Sequence, residues 1–202
     1  ANQYNGGGQN ALIDGIRGGS DFRTGAWQGY QDKDLLATID LGSMRTIAEV
    51  SVGFLQDQRS WIFFPTELLV EAGEKPESMT TIGSISIEAD KADDESRTET
   101  FSLRANGQSA RYIRVTARNL GDLPSWHLGA PSNGKAWIFV DEIDAVGRAV
   151  EGGVQGVGAG RHLAELVLGR PEVGDGLAKL FAFVGVTGRV ADGKLAHPQA
   201  DI

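Results

Sequence analysis

Two tryptophans have surroundings that suit chemistry, and that chemistry is recognition. Trp61 has Gln56, Asp57, Arg59 and Ser60 as near neighbours in one segment, and Trp126-His127 lies in a second, from Gly121 to Asn133. A sugar presents an apolar C–H face and a ring of hydroxyls. A site for one needs an exposed aromatic platform and planar polar groups that hold adjacent hydroxyls as fixed pairs, as Arg, Asp, Asn and Gln can. Gln56, Asp57, Arg59, Trp61, Trp126, His127 and Asn133 are the candidate ligand contacts. Trp126, set among Pro, Ser, His and Gly, is expected at the surface. Trp61 runs into Ile62-Phe63-Phe64, so surface platform and core anchor both stand open for it. Trp27 and Trp137 lead into or lie within strands and are assigned to the core.

Bond-breaking chemistry finds less support. His127, His162 and His197 are widely separated and lack ligand spacing such as His-x-x-x-His, so at best His127 is a sugar contact. A glycosidase needs two carboxylates flanking the scissile bond, but acidic residues are too common here for a pair to be specific. Asp90, Asp93, Asp94 and Glu95, interspersed with Lys91 and Arg97, read as a solvated loop. No Gly-x-Ser-x-Gly elbow or Ser-His-Asp order appears. Gly152 to Gly160 lacks the Gly-Lys-Ser/Thr ending of a phosphate loop and reads as linker. The expectation is a protein that is not itself an enzyme.

The elements that must hold these residues are strands. Leu36 to Leu41, Ala48 to Leu55, Glu67 to Ala72, Ile82 to Ile87, Glu99 to Leu103, Ala110 to Ala117 and Ala136 to Val146 carry alternating or β-branched apolar positions. Ala105-Asn106-Gly107-Gln108 has the form of a hairpin turn. Asp141 and Ile143 are expected on one face of the last strand, Glu142 and Asp144 on the other. Short strands with turn signals between them predict an all-β, antiparallel β-sandwich. Beyond Gly147 the chain has no Trp or Tyr, balanced charge, and much Gly, Val and Ala. Residues 1–147 are therefore assigned to the sandwich, and 148–202 to a Gly-rich C-terminal extension, weakly structured or appended. Within it, 161–168 reads as a short helix and 176–186 as a short helix or strand.

The chain has 202 residues, no cysteine and a net charge of −8. That length supports a core without covalent staples, and the absence of cysteine excludes disulfides. An acidic chain lacks the basic face that a nucleic acid requires. No apolar run reaches the 18 or so residues of a membrane span, so membrane insertion is not expected. The start at Ala1 without Met or leader reads as a mature or excised piece.

Several segments, taken in order, carry a family resemblance. They are Ala11-Leu12-Ile13-Asp14-Gly15, then Trp27-Gln28-Gly29, then Ala37-Thr38-Ile39-Asp40-Leu41-Gly42. After these come Ile47 to Leu55 running into Gln56–Pro65, the strand Ala110-Arg111-Tyr112-Ile113-Arg114-Val115, and Val140-Asp141-Glu142-Ile143. Over about residues 4 to 147 this order resembles the discoidin, or coagulation factor 5/8 type C, domain. Its details look most like the bacterial carbohydrate-binding modules appended to glycoside hydrolases such as β-hexosaminidases. Gly73-Glu74-Lys75-Pro76 departs from the family's Ser-x-Asp-Gly turn.

The resemblance implies a discoidin-like jelly roll that binds glycans by loops at one end. It also implies galactose- or N-acetylhexosamine-type ligands, a parent hydrolase whose catalytic domain is a partner, and an extracellular, periplasmic or cell-surface location. It further implies a structural Ca²⁺ pinning the loop after Asp14 to Glu142, with carbonyls near Ala11 and around Thr24-Gly25 as further ligands. The loop from Ile16 to Arg23 is longer than the family's, and Asp21 is a recruitable ligand. The alternative for Asp14 is a plain Asx turn with Gly15. A structural domain that packs on a catalytic domain without touching sugar is the alternative function.

Overall fold

Alternation of apolar and polar residues does form the strands, but two of them run far longer than the sequence suggests. The computed structural model describes residues 4–8, 10–149, 162–168 and 181–184. Its strands are β1 (Gln28–Gln31), β2 (Leu35–Gln56), β3 (Glu67–Lys75), β4 (Ser78–Ser86), β5 (Arg97–Arg118), β6 (Trp137–Ala149), β7 (His162–Leu168) and β8 (Phe181–Val184). All pair antiparallel, in the order β1-β6-β2-β5-β3-β4, with β7 on β2 and β8 on β7.

The segments expected as Leu36–Leu41 and Ala48–Leu55 are one strand, β2, and those expected as Glu99–Leu103 and Ala110–Ala117 are one strand, β5. Asn106-Gly107 is therefore no hairpin. Both residues are left-handed, at φ 48° and 78°, and they form an irregularity inside β5, while Gly42 (φ 76°) marks the matching one in β2. The register jumps from Asp40↔Tyr112 to Arg45↔Ala110, then from Ile47↔Gln108 to Glu49↔Arg104. Extra residues bulge first from β2 and then from β5, and bulges bend a ladder without ending it. The pair thus turns a corner, and the sheet folds back on itself.

Closure shows in the core. Leu35, Ala37 and Ile39 before the corner pack in one cluster with Val50, Val52 and Phe54 beyond it, joined by Leu68, Val70, Ile113, Val115, Ile138 and Val140. The result is an antiparallel β-sandwich, as expected. Trp27 is fully buried with Leu55, Ile62 and Phe139, and Trp137 packs against that group. A third cluster, Phe63, Leu123 and Ala136 with Trp61, Leu120 and Ala130 against it, lies under the loops that carry the candidate site.

One further bulge bears on chemistry. β6 pairs with β2 as Ile143↔Val52 and Val140↔Phe54, so Asp141 and Glu142 together oppose Gly53. Strict alternation fails there. Asp141 and Glu142 are both buried, which corrects the expectation that they face opposite sides. A Cβ on Gly53 would fall on the Asp141 carboxylate, with Arg17 also in the way. Gly53→Ala is therefore expected to lower stability by about 1–3 kcal/mol in urea unfolding. An unchanged midpoint would show that the carboxylate yields.

His162–Leu168 is a strand and not the expected helix, laid along Ala37–Asp40 of β2. β6 pairs with β2 only from Arg45 onward, which leaves that edge open, and an open edge templates a strand. Phe181–Val184 is the strand alternative expected within 176–186. The remainder of 148–202, from 150 on, lies outside the described residues.

Candidate functional site

Three connections meet at one rim, and a buried glutamine and histidine tie them together. Asp57 to Ile62 follows β2, closed by a reciprocal backbone pair between Asp57 and Ile62, both at 3.0 Å. Inside it, Gln58–Ser60 makes a single 3-10 turn that Trp61 ends in the left-handed region, at φ 67°. A bulky residue is costly there, and the packing beneath holds it. The Trp61 ring lies against Gly129 and Gly134, where a Cβ would come within 2.9 and 3.3 Å of the indole. Trp61 is half-buried and serves as an anchor between loops.

The second connection, from β4 to β5, carries the acidic run. Gln58 clamps it: Nε2 donates to the Lys91 carbonyl at 2.7 Å and Oε1 accepts from the Asp93 N–H at 2.7 Å. Gln56 Nε2 donates to the Asp93 carboxylate at 3.1 Å, and Arg59 Nη2 donates to the Asp94 carbonyl at 2.9 Å. The Glu95 N–H, and then the Arg97 guanidinium, hold the Asp93 carboxyl below its ordinary range. Arg97 also lies over the Phe64 ring, 5.4 Å from its centroid. The run read as a solvated loop is exposed at Asp90, Lys91, Asp94 and Glu95, yet its backbone is fixed to the rim.

The third connection, 119–136, brings the aromatic platform. Trp126 is 44% exposed, and its Nε1 donates to the Asp90 carbonyl at 2.9 Å. Leu128 beside it is 96% exposed. His127, only 8% exposed, points inward. Its Nε2 bonds the Gln58 carbonyl at 2.8 Å and its Nδ1 accepts the Gly129 N–H at 3.0 Å. Asn133 is exposed and left-handed, ending the turn at 130–132.

Five of the seven residues expected from sequence, Asp57, Arg59, Trp61, Trp126 and Asn133, lie in the surface loops of this rim or at its edge. The other two, Gln56 and His127, are buried behind it, with their polar atoms turned to the chain itself. Gln58, Asp93 and Arg97 were missed. Their signal is faint, because a polar residue beside a loop tryptophan gives no sign of whether it faces ligand or neighbouring backbone.

No family model matches the chain, and no curated protein matches it. Solved structures similar to it do exist. One is the CBM32 of AlyQ in complex with 4,5-unsaturated mannuronic acid, at 19% identity and a TM-score of 0.42, over 69% of this chain and 86% of that one. Another is the C-terminal domain of a chitobiase from Bacteroides fragilis, at 18% identity and 0.38, over 70% and 81%. A third is a fucolectin from striped bass (Morone saxatilis) serum, at 17% identity and 0.44, over 74% and 45%.

Away from the rim, the loop after Asp14 is stitched to β6. The Gly15 N–H donates to Glu142 Oε2 at 2.9 Å and the Gly18 N–H to Asp141 Oδ2 at 2.9 Å, while Arg17 pairs with Asp141 and Asp144. Asp14 also accepts the Ile16 N–H at 2.8 Å, forming the Asx turn. Burial pushes the Glu142 carboxyl up to about 8, and the charges of Asp144 and Asp14 add to that. Burial likewise raises Asp141, against the Gly18 N–H and Arg17. Ala11 is buried in the preceding turn. Asp21, Thr24 and Gly25 form a turn of their own, in which the Asp21 carboxylate takes the Arg23 N–H and Nε at 3.0 and 2.8 Å. Among the described residues no three acidic or histidine side chains group as a metal site.

Proposed function

We propose that this chain is a non-catalytic carbohydrate-binding module whose ligand lies on the Trp126 face of the rim. The observation that carries this is a tryptophan that is both open and fixed. The residue is 44% exposed while its indole N–H is held by the Asp90 carbonyl. A pre-oriented ring gives apolar contact with little ordering cost. In the loops of the same rim, Asp57, Arg59 and Asn133 offer planar groups for paired hydroxyls. Galactose- or N-acetylhexosamine-bearing glycans are the expected ligands. Weak affinity per site then gains by tethering a parent hydrolase to its substrate at an extracellular, periplasmic or cell-surface location. A glycan array probed with the purified chain tests this, and silence across all neutral sugars defeats it.

Charge at the rim refines the ligand. Asp90, Asp94 and Glu95 are exposed there with Asp57 beside them, and they outnumber Lys91 and Arg59, whereas Arg97 is taken up by Asp93. A carboxylated sugar meets repulsion that a neutral one does not. Galactose is expected to bind at least about threefold better than galacturonate at low salt, with the gap closing as salt screens the rim. Equal affinity at low salt would refute this.

Calcium suits the Asp14–Glu142 side. Glu142 is 4% exposed, and two acids adjoin it while Arg17 is committed to Asp141 and Asp144. A hard cation held by Asp14, Glu142 and nearby carbonyls would neutralise this buried acid and stiffen the loop. The turn formed by Asp21, Thr24 and Gly25 fits less well, because Arg23 already occupies Asp21.

A second function draws support from Leu128. An apolar side chain 96% exposed next to Trp126 also suits a protein interface, so docking on a catalytic domain is the competing proposal. A hydrolase domain that binds the chain and is displaced by galactose would favour the sugar site. Binding indifferent to galactose would favour docking.

A further inference from the structure

We infer that Gln58 is a positioning residue, which sets the Trp126 platform by fixing the path of the acidic connection that anchors the indole. The affinity arm of this inference rests on the function proposed above, while the exchange arm does not.

Gln58 is buried although it opens a turn at the surface. A buried amide must find its hydrogen-bond partners within the chain, and this residue finds them in both of the other connections. Its side chain reaches the second, where Nε2 donates to the Lys91 carbonyl and Oε1 accepts the Asp93 N–H, both at 2.7 Å. Its own carbonyl reaches the third, 2.8 Å from His127 Nε2, and also takes the Trp61 N–H at 2.9 Å. Both ends of the side-chain amide thus hold main-chain groups. Such a pair fixes where a segment runs, and not merely where one side chain points.

The path matters because of Asp90, whose carbonyl accepts the Trp126 indole N–H at 2.9 Å. Asp90 and Lys91 are exposed and lie outside any strand, so neither packing nor a ladder fixes them. Asp90 stands instead between Ala89, which is buried, and Lys91, whose carbonyl Gln58 holds. The other ties of this connection lie farther along. Gln56 and Arg97 hold the Asp93 carboxylate, and Arg59 holds the Asp94 carbonyl. The bond from Gln58 falls one residue past the acceptor that Trp126 uses. Without it the Lys91 carbonyl turns to water, and the neighbouring Asp90 carbonyl moves with it. Trp126 then keeps its ring neighbours Phe63 and His127, at centroid separations of 6.2 and 5.8 Å, but loses the bond that sets its angle.

The test follows hydrogen exchange at the indole N–H groups of the whole ¹⁵N-labelled chain by NMR, with Trp126→Phe assigning the platform's signal. Trp27 is the internal control, because its Nε1 donates to the Gly19 carbonyl at 3.1 Å, away from the rim. Gln58→Met has a similar length and removes both hydrogen-bonding groups. It is expected to speed exchange at Trp126 by about fivefold or more while Trp27 keeps its rate. Gln58→Asn keeps an amide but falls one methylene short, and gives the same selective change in a milder background. Val70→Ala, a truncation in the core of β3, lowers stability without that selectivity. Galactose affinity, read by calorimetry, falls by about fivefold or more from the parent chain to Gln58→Met. The same change made in Trp126→Phe, which has no N–H to hold, costs no further affinity. Unchanged Trp126 exchange in either folded Gln58 variant, equal acceleration at Trp126 and Trp27, or equal affinity losses in the two backgrounds overturns the inference. If exchange quickens at Trp126 alone but no form of the chain binds galactose, the positioning role stands and the sugar-binding function falls.

Discussion

Trp126→Ala is expected to weaken galactose binding by about 30-fold, roughly 2 kcal/mol, while the melting temperature moves little. The asymmetry follows from where the indole sits. Nearly half of the residue's surface faces water, so removing the side chain leaves no large cavity. It gives up the hydrogen bond to the Asp90 carbonyl, about 1 kcal/mol, and that carbonyl can turn to solvent. Trp126→Phe keeps an aromatic face but loses the N–H anchor, and should fall between the two. Trp61→Ala should behave in the opposite way. That ring packs on Gly129 and Gly134 and belongs to the Phe63–Leu123 cluster, so truncation opens a void costing about 2–4 kcal/mol. Calorimetric titration with galactose alongside thermal unfolding separates the two tryptophans. If Trp126→Ala bound galactose as well as the parent chain, the platform would be elsewhere.

This contrast also marks how far the sequence could be read. Strand positions were legible, because apolar residues recur at every second position, as at Leu35, Ala37 and Ile39 or Val50, Val52 and Phe54. The division of Trp126 from Trp27 followed from the Pro, Ser, His and Gly around the one and the strand that the other leads into. The corner in β2 and β5 was not legible. Asn106-Gly107 takes left-handed backbone angles in a hairpin and in a bulge alike, and only the partner strand decides which one forms. Alternation also failed at Asp141-Glu142, where the absence of a side chain at Gly53, distant in sequence, lets two successive acids turn inward. At the rim, residue types announced a polar, aromatic surface but not its direction. Gln56, Gln58 and His127 have the chemistry of ligand contacts and spend it on the chain's own carbonyls, carboxylates and N–H groups. Hydrogen-bonding capacity is a property of a residue, whereas its target is a property of the fold.

The largest pH effect is expected at Glu142. Its carboxyl titrates at about 8 in the folded chain, against 4.5 as its ordinary value, so folding favours the protonated form. Between those values the native state binds more protons than the unfolded state, and stability falls as pH rises. The contribution is fully present below about 4.5, declines through the interval, and is gone above about 8. Glu142→Gln keeps an acceptor for the Gly15 N–H and cannot ionise. In chelator it should match the parent chain near about pH 5 and exceed it near about pH 9 by on the order of 3 kcal/mol, read from urea unfolding. Parallel curves for the two chains would sink this. Calcium adds an independent arm. If Asp14 and Glu142 hold the ion, millimolar calcium at the higher pH stabilises the parent chain and closes the gap, and leaves Glu142→Gln nearly unchanged, because the ion needs the carboxylate that the proton would otherwise occupy. A gap that calcium does not alter would leave the proton linkage in place and remove the metal from this loop.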